Sequence, residues 1–224
     1  MKIHKLLAAL LITSITFLAL PSTHVLAQNQ QINTFVVVID PGHGGPERPG
    51  AVYNSVRAAD LNLAVAEKLL YLINRDGFMR AYTTRSSDTH ISWEDRAALA
   101  NDVGDFMITI HHNASENLNI RGVETFYLSN MDDQFRNITS HNFAQLVQHN
   151  LVTHTGRHNR RVESAEFRVL RYANVPAALV ELGFMSNPQE FATLVSEEYQ
   201  WRAAKGLYNA LIEAFMWHVL SQYQ

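Results

Sequence analysis

Cysteine is absent from the chain, which has 224 residues. Its absence excludes disulfide bridges, iron–sulfur clusters, thiolate zinc sites and a cysteine nucleophile, and it leaves no thiol to carry a lipid anchor. An excess of basic charge is also missing, because 18 Lys and Arg residues stand against 21 Asp and Glu residues. The formal charge of -3 therefore gives no support for nucleic-acid binding through a basic face.

Histidine, in contrast, is plentiful with 11 residues, so metal sites built from imidazole remain open. Hydrophobic residues make up 47% of the chain and aromatic residues 10%, which is typical of a globular protein. No repeat, low-complexity tract or flexible linker follows residue 30. We therefore expect residues 28–224 to form a single domain and the protein to be a monomer.

One long hydrophobic run lies at the N-terminus. Lys2 and Lys5 precede the uncharged segment 6–20, and Ala27 stands where a signal peptidase cleaves. An uncleaved membrane anchor is the alternative, but the run is short against the roughly 20 residues that a membrane span requires. The sequence predicts a signal peptide over residues 1–27 and an exported protein, periplasmic or extracellular, without a later membrane span.

Beyond this segment, strand-like and helix-like stretches alternate along the chain. Continuous apolar runs predict buried strands, and apolar residues at helical spacing between cap signals predict helices. The predicted strands cover residues 35–40, 79–83, 106–111, 123–128 and 177–181. The predicted helices begin at Asp60, Ser92, Ser140, Asn187 and Glu198. This order predicts an α/β fold, with a mostly parallel twisted sheet flanked by helices.

Polar residues follow or end three of these strands, namely His43, His111 and Glu181. Ligands of such folds bind at the carboxyl ends of the strands, so the three side chains are expected to meet at one edge. Two imidazoles could bind zinc, and a nearby carboxylate could act as general base on a zinc-bound water. Taken singly, each histidine could instead be a hydrogen-bonded loop residue, and Glu181 could be an ion-pair partner or a cap near Asn187.

Eight stretches, three of which contain these residues, extend the pattern over almost the whole chain after the signal. They are Val38–Gly45, Asp60–Leu63, Thr84–Arg85 with Asp88, Arg96 with Asn101, Ile108–Ala114, Gly122–Tyr127, Val169–Arg171 with Pro176–Ala177, and Leu179–Asn187. With these motifs in this order, the sequence resembles the zinc-dependent N-acetylmuramoyl-L-alanine amidases of the amidase-3 type.

The resemblance implies a peptidoglycan hydrolase with one zinc ion. His43 and His111 would be zinc ligands, and Glu181 would be the catalytic carboxylate. The substrate would be peptidoglycan or a muropeptide, cleaved at the amide between N-acetylmuramic acid and the L-alanine of the stem peptide.

One position departs from the family pattern. The family carries a zinc-binding Glu two residues before Asp60, where this chain has Ala58. Asp60 and His112 are expected to point away from the site, and Glu124 and Glu163 are candidate replacement donors. A catalytically inactive peptidoglycan-binding or regulatory homologue, or an inactivated variant, is therefore the alternative function. A zinc exopeptidase of related architecture is a third reading, against which the Asp-Pro-Gly-His motif argues.

The remaining conspicuous residues are expected to be structural. Four polar residues should brace loops around the sheet: Arg85, Asp88, Arg96 and Asn101. Three tryptophans are expected to pack in the core or on helix faces rather than to bind sugar: Trp93, Trp201 and Trp217.

Overall fold

The computed structural model describes residues 35–129 and 138–221, in which strands and helices alternate. The strands are β1 (Phe35–Pro41), β2 (Val52–Tyr53), β3 (Val56–Arg57), β4 (Met79–Thr83), β5 (Phe106–Asn113), β6 (Val123–Tyr127), β7 (Asn159–Ser164) and β8 (Ala177–Phe184). The helices are α1 (Ala58–Asp76), α2 (Trp93–Val103), α3 (Ser140–Thr155), α4 (Arg168–Tyr172), α5 (Pro188–Leu194) and α6 (Glu197–Ser221).

Six strands form one sheet in the order β4-β1-β5-β8-β6-β7. Strands β4, β1, β5 and β8 are parallel neighbours, β6 runs antiparallel to β8, and β7 is parallel to β6. Strands β2 and β3 form a separate antiparallel pair that leads into α1. The predicted α/β class with a mostly parallel sheet is confirmed.

Side chains on the central strands alternate between two hydrophobic cores. Val37 and Ile39 of β1 belong to one core, whereas Val38 between them belongs to the other. A strand covered on both faces can bury every side chain, which explains why β1, β5 and β8 appear in the sequence as continuous apolar runs.

The helices that cover the two faces differ greatly in length. Helices α1, α3 and α6, of 19, 16 and 25 residues, pack together on one face. The other face carries α2, of 11 residues, and α4, of 5 residues. Because α4 is so short, the second face is left open near the carboxyl ends of β5 and β8.

Two predicted helix caps are wrong. Helix α1 begins at Ala58, and its cap residue Arg57 makes no side-chain capping bond. Asp60 lies in the first turn of that helix and accepts hydrogen bonds from Arg57 instead. Helix α3 is capped by Thr139, whose hydroxyl accepts from Asn142 N, rather than by Ser140. The predicted caps at Ser92 and Asn187 are confirmed.

Several elements differ from the sequence prediction in existence or extent. The sequence predicted none of β2, β3, β7 and α4. Strand β5 continues to Asn113 rather than ending at residue 111, and β8 continues to Phe184 rather than ending at Glu181. The predicted signal peptide, residues 1–27, lies outside the described residues. Within residues 35–129 and 138–221, the helices lack the length and apolar composition needed to cross a membrane.

Candidate active site

His43 lies in the turn that follows β1. Its backbone adopts a left-handed conformation with φ of 61°, which is unusual for a residue with a side chain. Its ring packs against Gly50, where an added Cβ would lie 2.5 Å from the ring carbon Cδ2. Glycine at position 50 is therefore a requirement of the close approach between this turn and the imidazole.

His111 lies near the end of β5, and its ring packs over Gly42. A Cβ on Gly42 would lie 2.1 Å from Nε2 of His111, so only glycine leaves room for the ring. The rings of His43 and His111 meet edge to face, with their centroids 4.8 Å apart. The structure thus brings together the two imidazoles that the sequence analysis singled out.

Both imidazoles are neutral at pH 7. Burial lowers the pKa of His43, and the positive charges of Arg96 and Arg85 lower it further. Burial also lowers the pKa of His111 well below its usual range, with His43 and Arg96 acting in the same direction. A neutral imidazole keeps a lone pair on one ring nitrogen, which is the form that binds metal ions.

Glu181 lies on β8 directly beside His111 of β5, as its partner in the parallel ladder. The side chain is buried, and its Oε2 has no hydrogen-bond partner among the described residues. Burial raises the pKa of Glu181 well above its usual range, and the carboxylate of Glu124 raises it further. An unsatisfied buried carboxylate is unfavourable for stability, so this arrangement points to a chemical role.

A cavity of about 590 Å³ joins these three side chains. It is lined by Asp40, Gly42, His43, Arg48, His90, Ile91, Trp93, Arg96, His111, Glu166, Phe167, Arg168, Val169, Leu179 and Glu181. It lies on the face covered by the short helices α2 and α4. The cavity is large enough to hold a segment of a peptide or a sugar derivative.

A buried ion pair fixes the turn that carries His43. Arg96 of α2 donates to Asp40 Oδ1 at 2.6 Å and to the His43 carbonyl at 2.7 Å. Thr84 and Thr109 also donate to the Asp40 carboxylate, each at 2.5 Å. Each oxygen of Asp40 thus accepts at least one hydrogen bond, which keeps the end of β1 and the following turn in one conformation.

Arg85 braces the same turn from the side of α1. Its guanidinium donates to the carbonyls of Pro41, Gly42 and Ala59 at 2.8, 3.0 and 2.8 Å. Asp88 accepts a hydrogen bond from Gly45 N at 2.8 Å. These contacts, together with those of Arg96 and of Asn101 to the backbone at residues 172 and 174, agree with the bracing role predicted for the four polar residues.

His112 faces away from the cavity, as strand alternation predicted. Its Nδ1 donates to Asn62 Oδ1 at 2.7 Å, because the Asn62 amide nitrogen already donates to the Gly42 carbonyl at 3.0 Å. Burial lowers the pKa of His112 to about 3, so the ring is neutral. His112 therefore helps to position Gly42, against which the ring of His111 packs.

The donor set at the cavity fits a zinc ion only in part. Two neutral imidazoles are suitable ligands, but a catalytic zinc usually takes three protein ligands. Within residues 35–129 and 138–221, no group of three His, Asp or Glu side chains is arranged to hold a metal ion. The cavity therefore offers two imidazoles whose type and charge would suit a metal ion, and the described part of the chain adds no third donor.

Ala58 lies where that third donor would be expected from the family pattern. It is fully buried, and its backbone N donates to the Ala51 carbonyl at 2.8 Å. Ala59 N donates to the Pro49 carbonyl at 2.9 Å. These two bonds hold the start of α1 against the segment that contains Gly50, on which the His43 ring rests.

The two candidate replacement donors are committed elsewhere. Glu124 is fully buried on β6, where its Oε1 pairs with Arg160 and Arg161 at 2.8 Å each. Its Oε2 accepts from Asn113 at 3.2 Å. Glu163 on β7 pairs with Arg161 and is not among the residues that line the cavity.

The sequence did not indicate most of the cavity wall, and three of its residues matter below. Trp93 was expected to pack on the core or a helix face, but it is 37% exposed and contributes to the cavity wall. Arg48 and Arg168 were not singled out, although both line the same wall. Arg48 lies close to His43 in the sequence, and this nearness could have indicated it. Arg168 could not be found in the same way, because α4 is too short to give a helical pattern.

The family of the chain is shown by its similarity to known proteins. Residues 37–213 match the family model described as N-acetylmuramoyl-L-alanine amidase, amidase-3 type. This range includes His43, His111 and Glu181. The chain belongs to this family. The family resemblance inferred from the motifs is thereby confirmed.

Within the amidase family, the chain is similar to two proteins of Bacillus subtilis strain 168. It is 34% identical to the uncharacterized protein YqiI over 176 residues, which cover 78% of this chain and 82% of YqiI. It is 29% identical to N-acetylmuramoyl-L-alanine amidase LytC over 199 residues, which cover 87% of this chain. The match spans only 39% of LytC.

Two solved amidase structures share the fold. The N-acetylmuramoyl-L-alanine amidase from Clostridium difficile 630 superposes with a TM-score of 0.77 at 34% identity, covering 82% of this chain and 98% of that chain. The catalytic domain of CwlV from Bacillus (Paenibacillus) polymyxa superposes with a TM-score of 0.75 at 31% identity, covering 82% and 99%. Both likenesses extend over nearly the whole of the solved domains.

Proposed function

We propose that this protein is a peptidoglycan hydrolase that cleaves the amide between N-acetylmuramic acid and the L-alanine of the stem peptide. The observation that carries the proposal is the meeting of two neutral imidazoles and a buried, unpaired carboxylate at one cavity of an amidase-family domain. His43, His111 and Glu181 are its chemical groups.

His43 and His111 are the residues that would hold a zinc ion. When bound, zinc polarises a carbonyl oxygen and increases the acidity of water at neutral pH. The glycines at positions 42 and 50 leave both rings room, and Arg96 fixes the backbone of His43. With Ala58 in place of a third donor, we expect the affinity for zinc to be weak.

Glu181 carries the proton in the proposed reaction. As the amide is hydrolysed, a base must take a proton from the attacking water, and an acid must give one to the leaving amine of L-alanine. The Oε2 atom of Glu181 is free for both transfers, because it is engaged with no described residue. Glu181 lies beside His111 at the wall of the cavity, where both the attacking water and the amide can reach it.

The alternative of a non-catalytic wall-binding domain explains these features less well. A binding surface does not need a buried carboxylate with an unpaired oxygen, which is unfavourable by about 1–3 kcal/mol. The paired carboxylate of Glu124 on the neighbouring strand has three polar partners instead. The hydrolase is therefore the favoured function.

We also propose that the protein is exported, because its substrate, peptidoglycan, lies outside the cytoplasm. The basic start, apolar run and small residue at Ala27 support cleavage before Gln28. Exported protein should therefore begin at Gln28 when its N-terminus is sequenced. Recovery of exported protein with Met1 intact would reject the signal peptide.

Glu181→Gln provides the direct test of the catalytic role. We expect the release of stem peptide from purified muropeptides to fall roughly 10²–10⁴-fold, because the variant cannot exchange a proton. Zinc content should stay at the level of the parent protein, since Glu181 is not proposed as a ligand. Glu163→Gln is the matched control, because Glu163 is exposed and does not line the cavity. Equal activity of both variants would overturn the role of Glu181.

Ala58→Glu tests the missing donor. A carboxylate at this position should tighten zinc binding by roughly 10–100-fold, measured by titration against a chromophoric chelator. The thermal midpoint should also rise more on adding zinc than in the parent protein, because the metal stabilises the folded state. Ala98→Glu places the same side chain at an exposed position of α2 and should change neither quantity. An unchanged zinc affinity in Ala58→Glu would show that position 58 does not face the metal.

A further inference from the structure

Three side chains from separate segments form a cationic and aromatic wall of the cavity. The guanidinium carbon of Arg48 lies 5.3 Å from the centroid of the Trp93 ring, and that of Arg168 lies 4.5 Å from it. We call these three residues the Arg–Trp–Arg cluster. Two cations sharing one aromatic ring is an arrangement that neither the catalytic residues nor the core requires.

The backbone of each member is anchored, although the side chains reach solvent. Arg48 lies in a tight turn, where its N donates to the Gly45 carbonyl at 3.1 Å and its carbonyl accepts from Gly44 N at 3.0 Å. Trp93 is the first residue of α2, and Arg168 is the first residue of α4. The cluster therefore has a defined place on the cavity wall.

The two guanidinium groups have no carboxylate partner among the described residues. Both side chains are exposed to solvent, whereas the buried arginines have polar partners inside the protein: Arg96 pairs with Asp40, and Arg85 donates to three backbone carbonyls. Glu166 lines the same cavity but forms no ion pair with Arg48 or Arg168. Two unpaired like charges beside one ring repel each other, and an anion bound between or beside them would relieve that repulsion.

The cavity also identifies the kind of anion. Under the function proposed above, on which this inference rests, the amide to be cleaved lies at His43, His111 and Glu181, which line the same cavity. On one side of that amide is a sugar, whose hydroxyls are uncharged, and on the other is a peptide that carries carboxylates. The guanidinium groups already lie against the Trp93 ring, which disfavours a sugar stacked there and favours a carboxylate.

We propose that the Arg–Trp–Arg cluster is a specificity site that binds a carboxylate of the stem peptide, in the first instance the α-carboxylate of the residue that follows L-alanine. Arg48 and Arg168 donate hydrogen bonds to that carboxylate, and Trp93 holds their planar groups in place. The cluster thereby selects acidic over amidated stem peptides.

The first experiment measures binding without turnover. The peptide L-alanyl-γ-D-glutamyl-L-lysine and its α-amide differ only in one charge and lack the bond to be cleaved. We expect calorimetric titration of the full chain to give a dissociation constant roughly tenfold lower for the acid. A third peptide carries meso-diaminopimelate in place of lysine. Tighter binding of this peptide would identify a carboxylate at the third residue as the group that the cluster binds.

Variants assign the preference to the cluster. Arg48→Gln with Arg168→Gln should bind the acid and the amide equally, while binding of the amide itself should hardly change. Arg171→Gln is the matched control, because Arg171 is exposed on the same helix α4 and does not line the cavity. Circular dichroism of the double variant verifies that α4 and the surrounding fold are intact.

A second experiment compares cleavage of the corresponding N-acetylmuramoyl peptides. In the wild-type protein the acid should have the lower KM, and the double variant should lose this difference while kcat stays near that of the parent. Failure to cleave either peptide, with the binding preference intact, would refute the proposed hydrolysis and leave the specificity site standing.

Three results would overturn the specificity site itself. They are equal binding of every acidic and amidated pair, no measurable binding of any of these peptides, and an acid preference that survives in the double variant. Cleavage of both muramoyl peptides at equal rates together with equal binding would retain the hydrolase and reject the site.

Discussion

Two buried carboxylates on the same face of the sheet are treated in opposite ways. Asp40, at the end of β1, accepts from Arg96, Thr84 and Thr109 and has both oxygens engaged. Glu181, on β8, has an oxygen without a partner in the described part of the chain. Both line the same cavity. The fold thus neutralises the carboxylate that supports the site, whereas the carboxylate proposed to react keeps an oxygen without a partner among the described residues.

Glu124 sharpens this contrast, because it lies opposite Glu181 in the ladder between β6 and β8. Two arginines and Asn113 bind Glu124, so its charge is compensated by neighbouring side chains. Its negative charge nevertheless reaches Glu181 and helps to raise the pKa of that side chain. The three buried carboxylates thus differ in their surroundings. Those of Asp40 and Glu124 are paired with arginines, whereas Oε2 of Glu181 has no partner among the described residues.

The largest effect is expected for Asp40→Asn. Removal of this charge leaves the Arg96 guanidinium buried without its counter-ion, since its side chain is only 5% exposed. We expect the free energy of unfolding to fall by about 3–5 kcal/mol. Urea denaturation measures the loss. Asp60→Asn is the control, because the pair of Asp60 with Arg57 is exposed to solvent and should contribute little to stability. Equal effects of the two substitutions would contradict the supporting role of Asp40.

A smaller loss is expected for Glu124→Gln. Its arginine partners are 27% and 46% exposed, so water can solvate them once the carboxylate is gone. The expected decrease in the free energy of unfolding is about 1–2 kcal/mol. The same denaturation series measures it, and a loss as large as that of Asp40→Asn would mean that the arginines are not solvated.

The smallest effect on stability is expected for Glu181→Gln. Because the carboxylate is buried and one of its oxygens has no partner among the described residues, its replacement should not lower the free energy of unfolding, and a small increase is expected. The measurement is made on chelator-treated protein at pH 7. A loss of several kcal/mol would show that Glu181 is a structural carboxylate like Asp40.

The raised pKa of Glu181 predicts how the difference in stability between the wild-type protein and Glu181→Gln changes with pH. The folded-state pKa of Glu181 is raised above that of an unfolded Glu, which is about 4.3. The protonated form therefore favours folding below that pH, and the contribution is lost as the pH rises through the folded-state pKa. Wild-type protein should lose stability relative to Glu181→Gln as the pH rises above about 4.3, as unfolding at a series of pH values will measure. Parallel curves would contradict a raised pKa.

Much of the fold could be predicted because its signals are local. The strands buried on both faces appear as apolar runs, and the caps at Ser92 and Asn187 depend on side chains within three residues. Strand β7 gave no such signal, because it is an edge strand with the polar sequence Asn159–Ser164. The start of α1 was placed two residues late, because Arg57 precedes it without a side-chain cap.

The candidate site was predictable in its central residues and not in its walls. His43, His111 and Glu181 were found because parallel strands bring their carboxyl ends to one edge. Arg48, Trp93 and Arg168 come from a turn and two helix starts that share no pattern in the sequence. Their meeting depends on how α2 and α4 pack against the sheet.

The sequence by itself determined the residue types available, the α/β order and the family to which the chain belongs. It also determined that position 58 offers no metal ligand, since alanine has no donor atom. Only the tertiary structure decided which carboxylates are paired. Asp40 meets an arginine 56 positions away and Glu124 one 36 positions away, whereas Oε2 of Glu181 meets none in the part of the chain that the structure describes. The physical reason is that an ion pair and a shifted pKa depend on distances of a few ångströms and on burial, which packing sets between segments remote in the chain.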